Sequence, residues 1–480
     1  MLMGALGVTT LTSALAAAPT PTFRTVPCPA DVRADRCGFV RVPEDHAQPG
    51  NGRTLDVFVA VKRGTQSAGR NAPLFYLEGG PGAPSSLSVG PLGQVFPAFD
   101  VVGIDQRGVG HSTPSLACPE VNTLMNASGG GVQSSEATNA QFTATLKACG
   151  ARLRASGIRL EAFNTTQAAQ DVDTVRRALG YGPVNLYGAS YGTRLGQEVL
   201  RRAPGAVRAA VLDSVIPTTL DRVARSAESI QAALSRVFAA CAADAACAAK
   251  YPNLEGTYRA VLKQLDARPL TLRVKGEDGP LDAQGFQALL LGSMYFTPGL
   301  EELPALIVAA RDGDAARIQA SFSVQFLETV VDTLTWGAFF SNECAGEVAY
   351  STPERLRAAL KAAPEFAGAL NSGPGISSES IFDVCRAWGL AKPAPGENDA
   401  VVSSVPTLLL AGEFDPVTPA AWLPEAARGL QAAQTLVVRG AGHGSGLTSA
   451  AGYEAVVKFF LNPTAKLTVP AASTGKLNFR

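Results

Sequence analysis

The chain has 480 residues, enough for a large core and for either two domains or one domain with a sizeable insertion. Lysine and arginine together number 41, as do aspartate and glutamate, so the formal net charge is zero. No overall field therefore favours nucleic acid or an anionic surface as a partner. Glycine, proline and alternating apolar runs, without a tandem repeat, indicate an ordinary globular α/β protein.

The first 18 residues have the character of a secretory signal peptide. They are uncharged, small and apolar, and they end in alanines that fit a small-x-small cleavage rule. The usual positive segment is missing, because the first basic residue is Arg24. A disordered tail is the alternative. No other stretch is long and apolar enough to span a bilayer, so we predict a secreted or periplasmic protein without stable membrane insertion.

The eight cysteines support export, because an even number permits four disulfides. Pairing between neighbours along the chain is predicted, since each such pair brackets one loop or helix turn. The predicted pairs are Cys28–Cys37, Cys118–Cys149, Cys241–Cys247 and Cys344–Cys385. A metal site is not expected, because no C-x-x-C occurs and three histidines are too few to complete a zinc shell. No cofactor is expected either.

The N-terminal part predicts strands that lead to a glycine-rich loop. Residues 24–70 have the pattern of a β-hairpin region, and residues 72–77 that of a buried strand. This strand ends in Glu-Gly-Gly-Pro-Gly at 78–82, which offers backbone N–H groups with no side chains in the way. That suits an oxyanion hole, with Gly80 as the favoured donor. An ordinary glycine turn is the alternative.

The next strand, 99–104, is followed by the polar turn Asp-Gln-Arg-Gly-Val-Gly-His-Ser. Within it, Asp105 and Arg107 are predicted to pair and brace the glycine loop. They are expected to be structural, because arginine stays protonated and is a poor acid or base. His111 lies in the same turn. His46 is predicted to be an exposed residue of the hairpin loop.

The segment 183–203 organises the chain around one serine. A strand at 184–187 turns through Gly-Ala-Ser-Tyr-Gly and continues as a helix. Strand, Gly-x-Ser-x-Gly and helix together predict a nucleophile elbow with Ser190 exposed at its tip. The N–H of Tyr191 would then be a second oxyanion donor. The alternative is an ordinary glycine-rich βα turn.

After a strand at 207–212, helical periodicity replaces strand–helix alternation. We predict a helical lid insertion at 221–402, between a first core part at 24–220 and a second at 403–463. Residues 464–480 are predicted to be a loose tail. The predicted helices of the insertion are 224–249, 254–267, 283–294, 300–311, 315–333 and 353–360.

A serine nucleophile needs a base that a third group orients. His443 is the favoured base, because it follows a buried strand and is flanked by glycines. Two carboxylates at strand ends could orient it, Asp415 and Asp213. Asp415 is favoured because it keeps the order Ser, Asp, His.

These motifs together resemble the prolyl iminopeptidase and tripeptidyl aminopeptidase family of serine α/β-hydrolases. The resemblance covers about 73–220 and 400–460, and the last cysteine pair resembles the secreted tripeptidyl branch. It implies an α/β-hydrolase fold, with a mostly parallel sheet flanked by helices. It also implies a triad of Ser190, Asp415 and His443 that cleaves short peptides from a free N-terminus. Relatives often carry histidine where Glu78 stands.

Family members place the acids that bind a substrate's α-ammonium in the insertion. Glu343 is the first candidate, and Glu347 and Asp383 are others. All three could instead be solvated surface carboxylates. The sequence thus predicts a secreted serine exopeptidase acting on peptides. A carboxylesterase or lipase on the same fold is the closest alternative, and a non-catalytic binding protein is a more distant one.

Overall fold

The structure is a computed structural model that describes residues 21–66, 71–128, 136–274, 276–372, 378–390, 392, 396–468 and 475–480. The predicted signal peptide lies outside these residues.

The described residues form a nine-stranded sheet and a separate two-stranded hairpin. In chain order the strands are β1 (Phe23–Val26), β2 (Arg36–Pro43), β3 (Thr54–Lys62), β4 (Leu74–Leu77), β5 (Val101–Ile104), β6 (Val184–Ala189), β7 (Val207–Asp213), β8 (Leu270–Val274), β9 (Glu277–Leu281), β10 (Thr407–Gly412) and β11 (Ala433–Val438).

The spatial order of the large sheet is β1-β2-β3-β5-β4-β6-β7-β10-β11. The six strands from β5 to β11 run parallel to one another, while β1, β2 and β3 are joined antiparallel at one side. This mostly parallel sheet flanked by helices is the predicted α/β-hydrolase fold.

Helices connect the strands and fill the long segment between β7 and β10. They are α1 (Val89–Val95), α2 (Pro119–Ala127), α3 (Glu136–Ala155), α4 (Thr165–Ala178), α5 (Tyr191–Arg202), α6 (Arg222–Ala243), α7 (Ala245–Lys250), α8 (Leu254–Ala267), α9 (Ala283–Met294), α10 (Thr297–Asp312), α11 (Ala315–Gln319), α12 (Phe322–Thr333), α13 (Trp336–Ala345), α14 (Pro353–Ala362), α15 (Ala367–Ser372), α16 (Ser380–Trp388), α17 (Leu423–Ala427), α18 (Ser445–Thr448) and α19 (Ala450–Leu461).

The central strands are buried on both faces, and their sequences show why. Strands β4, β6 and β10 are buried at every position, as helices on both sides of a parallel sheet require. In β3 the side chains of Val57 and Val59 enter one apolar cluster, while Phe58 enters the cluster on the opposite face. The period of two therefore distributes one strand between two core layers.

Side-chain caps define several helix starts. Asn164 accepts a hydrogen bond from the backbone N–H of Gln167 at the start of α4, and Asp221 accepts one from Ala224 at the start of α6. The first cap fixes the helix that precedes the elbow strand. The second fixes the point where the chain leaves the sheet and enters the segment predicted as an insertion.

Some elements of that segment differ from expectation. The predicted helix at 315–333 is two helices, α11 and α12, and the β8–β9 hairpin was not predicted. Helices α6 to α12 share an apolar cluster of their own, which also takes in Phe414. In contrast, Trp336 and Phe340 of α13 and Trp388 of α16 belong to a cluster of the sheet. By packing, the segment therefore divides into two parts.

The C-terminal residues 475–480 are docked, so the prediction of a loose tail is wrong for them. Leu477 is only 4% exposed and packs into the apolar cluster of α6–α12. The N–H of Asn478 donates to Glu301 Oε1 at 3.0 Å, and the hydroxyl of Tyr251 donates to the carbonyl of Arg480. One buried leucine and these hydrogen bonds thus connect the segment to the helices of residues 221–402.

Four disulfides join the cysteines in the predicted pattern, Cys28–Cys37, Cys118–Cys149, Cys241–Cys247 and Cys344–Cys385. The neighbour pairing is confirmed, and it leaves no free cysteine in the described part of the chain. Among the same residues, no helix combines the length and the apolar character needed to cross a membrane.

Candidate active site

The candidate residues follow the carboxyl ends of adjacent parallel strands. Ser190 comes directly after β6, Asp213 ends β7, Asp415 follows β10, and His443 follows β11. Strands β6, β7, β10 and β11 are consecutive in the sheet. Because parallel strands end at one edge, four segments distant in sequence meet there.

The turn at Ser190 is a strained strand-to-helix connection. The serine has φ 55° and ψ −123°, a region that residues with a Cβ rarely adopt. A Cβ on Gly188 would lie 2.3 Å from the carbonyl oxygen of Gly192, and one on Gly192 would lie 1.9 Å from that of Leu77. Both glycines are therefore required for the strand and helix to approach, and the turn has the geometry predicted for a nucleophile elbow.

Tyr191 begins the helix that follows the serine. Its N–H has no acceptor within the helix, as is true of every first helical residue. Its hydroxyl donates to Asn342 Oδ1 at 2.9 Å and contacts Thr165 Oγ1 at 2.8 Å. The side chain of the candidate oxyanion donor is thus held by both the core and α13.

The glycine loop after β4 lies against the serine. A Cβ added to Gly79 would be 3.0 Å from the Cβ of Ser190. Gly80 has φ +106°, which favours glycine, and it is exposed whereas Gly79 is buried. The carbonyl of Gly82 accepts a hydrogen bond from the N–H of Thr335 at 2.9 Å, just before α13 begins. The structure therefore brings the predicted oxyanion loop to Ser190.

His443 and Asp415 are in direct contact. The imidazole Nδ1 lies 2.9 Å from Asp415 Oδ2, and both side chains are buried. Thr418 donates its hydroxyl to the same carboxylate oxygen at 2.6 Å, and its N–H donates to Oδ1 at 2.8 Å. The N–H of Val417 also donates to Oδ1, at 2.9 Å. The loop thus holds the carboxylate in one orientation and leaves the imidazole Nε2 for another partner.

The contact shifts both pKa values in the direction that favours an ion pair. Burial would raise the pKa of Asp415, but the charge of His443 and the hydrogen bonds outweigh it and lower the pKa overall. Burial would likewise lower the pKa of His443, yet the nearby Asp415 carboxylate raises it above the usual histidine value. The imidazole is therefore a stronger base than a free histidine.

Asp213 has a different set of partners. Its Oδ2 accepts hydrogen bonds from the Tyr187 hydroxyl at 2.7 Å and the Gly446 N–H at 2.9 Å. Ser445 donates to Oδ1 at 3.2 Å, and burial raises the Asp213 pKa. Of the two carboxylates left open by the sequence, Asp415 is the one in contact with the imidazole.

The other two histidines lie in separate environments. His46 is not exposed as predicted, because its side chain is only 11% exposed and its Nε2 lies 2.7 Å from Asp171 Oδ1. His111 Nε2 contacts the exposed carboxylate of Asp31 at 3.2 Å.

The predicted pair between Asp105 and Arg107 is wrong. Arg107 instead donates from Nε and Nη2 to the two oxygens of Asp171, at 2.8 and 2.7 Å. Asp105 accepts from both the N–H and the hydroxyl of Ser86, each at 2.9 Å, and from the N–H of His111 at 3.0 Å. Asp105 therefore ties its own turn to Ser86, just after the glycine loop, and Arg107 takes no part in this contact.

The acids predicted to bind a substrate's N-terminus are paired with arginines. Glu343 is 1% exposed, and its Oε1 accepts from Arg222 Nη2 at 2.6 Å, while its Oε2 is buried without a partner. Glu347 contacts Arg194 Nε at 2.9 Å. Burial raises the pKa of Glu343 to about 7, although Arg222 partly lowers it. Asp383 is a surface carboxylate paired with Arg386.

Three residues near the site were not found from the sequence. Arg194 and Arg222 are the counter-ions of the two acids, and Tyr295, at the end of α9, contacts His443. The carbonyl of Tyr295 accepts the N–H of His443 at 2.6 Å, and the two rings are 5.2 Å apart in an edge contact. No local motif marks any of them.

Within the described residues, no group of three or more histidine, cysteine, aspartate or glutamate side chains could hold a metal ion.

The arrangement of Ser190, His443 and Asp415 supports acyl transfer by a serine, a base and an oriented carboxylate.

Two family patterns match the sequence. One, described as an α/β-hydrolase fold, matches residues 72–271, and the other, described as a TAP-like protein, matches residues 375–470. The first contains Ser190, and the second contains Asp415 and His443.

The chain is similar to curated hydrolases over part of its length. A tripeptidyl aminopeptidase of Streptomyces coelicolor is 35% identical over 198 residues, which are 39% of this chain and 36% of the relative. Carboxylesterase B of Mycobacterium tuberculosis is 29% identical over 235 residues, 45% of this chain and 44% of the relative. Each match thus spans less than half of the relative.

Among solved structures, a proline iminopeptidase of Mycobacterium smegmatis aligns with a TM-score of 0.46 at 16% identity. The alignment covers 89% of this chain and 98% of that one.

Proposed function

We propose that this chain, which belongs to the α/β-hydrolase family and carries a TAP-like C-terminal region, is an exported serine exopeptidase. It would release short peptides or single amino acids from peptides with a free N-terminus. The observation that carries the proposal is the buried contact of 2.9 Å between His443 and Asp415, at the sheet edge where Ser190 occupies a nucleophile elbow.

In the proposed reaction, the Ser190 hydroxyl attacks the scissile carbonyl, and His443 Nε2 accepts the hydroxyl proton. Asp415 holds Nδ1 and stabilises the imidazolium that forms. The N–H groups of Tyr191 and Gly80 stabilise the oxyanion, and losing one such donor typically costs roughly 3 kcal/mol of transition-state stabilisation. His443 then protonates the leaving amine, and water hydrolyses the acyl-enzyme by the same steps.

Glu343 is the proposed contact for the substrate's α-ammonium, with Glu347 as a second acid. One oxygen of Glu343 is occupied by Arg222, and the other lacks a partner and is available to an ammonium hydrogen. That oxygen is buried, so binding would require neighbouring side chains to move. With a pKa of about 7, the carboxyl would bind an ammonium less well as the pH falls below neutrality.

Export is proposed because the chain carries four disulfides, which persist in oxidising compartments. The predicted leader at 1–18 agrees with this but lies outside the described residues.

Product analysis by mass spectrometry tests the proposal. Purified protein is incubated with matched peptides that have a free or an acetylated N-terminus, with Ser190→Ala as the inactive control. We expect short N-terminal fragments from the free peptides only. Equal cleavage of both sets would exclude the aminopeptidase, and cleavage that persists in the control would exclude Ser190 as the nucleophile.

Ester hydrolysis is the second candidate, because a carboxylesterase is among the relatives and the same triad serves both reactions. Comparing aminoacyl- and tripeptidyl-anilides with short acyl esters separates the two. Turnover of esters without anilides would favour the esterase. Failure of Ser190 to react with a fluorophosphonate would instead favour a non-catalytic binding protein.

A further inference from the structure

We infer that Glu78 is a positioning residue of the oxyanion loop. This role rests on the proposed acyl-transfer function. The Glu78 carboxylate takes up the N–H of Gly79 and thereby leaves the N–H of Gly80 as the donor that this loop offers to the oxyanion. This goes beyond the triad, because it gives a role to a residue that is neither a triad member nor an oxyanion donor.

The Glu78 carboxylate accepts three hydrogen bonds. Its Oε1 accepts from the Tyr76 hydroxyl and from the Gly79 N–H, both at 3.0 Å. Its Oε2 accepts from the hydroxyl of Ser88 at 2.7 Å. A single side chain thus ties the end of β4, the glycine turn and the start of α1 together.

The backbone of Glu78 is also fixed. Its N–H donates to Ser85 Oγ at 3.2 Å, and its carbonyl accepts from Gln106 Nε2 at 3.3 Å. With the carboxylate contacts, these bonds hold the peptide planes on both sides of the residue. The orientation of the next N–H groups follows from them.

The two glycines that follow are not equivalent. Gly79 is buried, and a Cβ there would meet Ser190 and the carbonyl oxygen of Ala189 at 3.0 and 3.1 Å. Its N–H already has the Glu78 carboxylate as its acceptor. Gly80 is exposed and adopts φ +106°, and its N–H is the remaining candidate donor of the two glycines. The carboxylate therefore selects between two candidate donors.

A matched pair of variants tests this role. Glu78→Leu removes the acceptor at similar size, whereas Glu78→Gln keeps an acceptor oxygen for Gly79 and can donate to Ser88. We expect kcat to fall roughly ten- to a hundredfold in Glu78→Leu with little change in KM, because oxyanion donors act mainly in the transition state. Glu78→Gln should stay within about threefold of the parent protein.

Two further variants keep the test decisive if Glu78→Leu does not fold. Ser88→Ala removes one of the three hydrogen bonds and should lower kcat by a smaller factor. Asp244→Ala removes an N-cap that accepts the N–H groups of Ala246 and Cys247 far from the site. Asp244→Ala should lower the melting temperature and leave kcat unchanged. If Glu78 were merely structural, Glu78→Leu would have the same two effects.

The assay substrate is whichever anilide or ester the parent protein hydrolyses, and a fluorophosphonate first tests for an active serine. No labelling of the parent protein would refute the proposed function itself. Labelling of the parent protein combined with an unchanged kcat in Glu78→Leu and Ser88→Ala would overturn the role of Glu78. An equal loss in Glu78→Gln and Glu78→Leu would also overturn it, because the charge and not the acceptor geometry would then matter.

Discussion

At the sheet edge each candidate side chain lies within a few residues of a strand end, whereas in the insertion the buried partners Arg222 and Glu343 are 121 residues apart in sequence. The first arrangement is imposed by the backbone, since adjacent parallel strands bring their ends together. The second depends on two helices, α6 and α13, packing in one way. The sheet edge is thus defined by topology and the insertion by side-chain pairing.

This difference separates two kinds of mutational effect. Changes at the sheet edge should alter the chemistry and leave the fold intact, because strand pairing does not depend on the reacting atoms. Changes to the buried charges of the insertion should alter stability first, because a buried charge needs its partner.

The largest expected effect is on catalysis. Asp415→Asn should lower kcat by roughly 10⁴-fold, because the imidazole would lose the carboxylate that orients it and stabilises its charge. Steady-state kinetics on a cleaved anilide measure this, and the circular dichroism spectrum should not change. Loss of the folded spectrum together with activity would show that the edge is not independent of the fold.

Next in size is the stability of the insertion. Arg222→Leu should destabilise the protein by roughly 3–5 kcal/mol, because it leaves Glu343 buried and unpaired. Denaturant unfolding measures this, and Arg222→Leu combined with Glu343→Leu should recover much of the loss. Arg225→Leu in the same helix is the control, since Arg225 pairs with Glu228 at the surface. Equal destabilisation by the two single changes would contradict the prediction.

A smaller effect is expected on pH dependence. The pKa of His443 is raised, and the imidazole acts as a base only when it is deprotonated. As the pH is lowered, kcat/KM should therefore fall, and the midpoint of this fall should lie above the ordinary histidine pKa. Asp213 contributes to the increase in the His443 pKa, and Asp213→Asn should therefore move the midpoint to lower pH. Profiles of kcat/KM against pH check this. A midpoint that moved upward would show that Asp213 does not act on the imidazole through its charge.

The smallest effect is expected at Asp383. Its side chain is exposed and pairs with Arg386 one helical turn away, so Asp383→Asn should change neither the melting temperature nor KM. Glu343→Gln provides the contrast, since it should raise KM for peptides with a free N-terminus. A raised KM in Asp383→Asn would instead make Asp383 the ammonium contact.

The fold and the contact of His443 with Asp415 could be predicted from motifs and their order along the chain. Gly-x-Ser-x-Gly after an apolar strand specifies the elbow, and the chain order Ser, Asp, His favours Asp415 over Asp213 as the partner of His443. The even number of cysteines also suggested four disulfides, and pairing each cysteine with its neighbour along the chain gives the observed set.

The remaining features depend on contacts that no local pattern encodes. The choice of Asp171 over Asp105 as the partner of Arg107 is decided by where α4 packs. The docking of residues 475–480 depends on a pocket that the helices of the insertion form only when folded. The pairing of Glu343 with Arg222 is of the same kind.

The hydrogen bond between the His443 N–H and the Tyr295 carbonyl has a consequence for any attempt to reduce this protein to its sheet. A minimal hydrolase made by deleting residues between β7 and β10 would retain the serine, the aspartate and the histidine. It would nevertheless lack Tyr295. The carbonyl of Tyr295 accepts a hydrogen bond from the backbone of His443, and its ring packs edge-on against the imidazole. The backbone position of His443 therefore depends on a segment that contributes none of the three candidate triad residues.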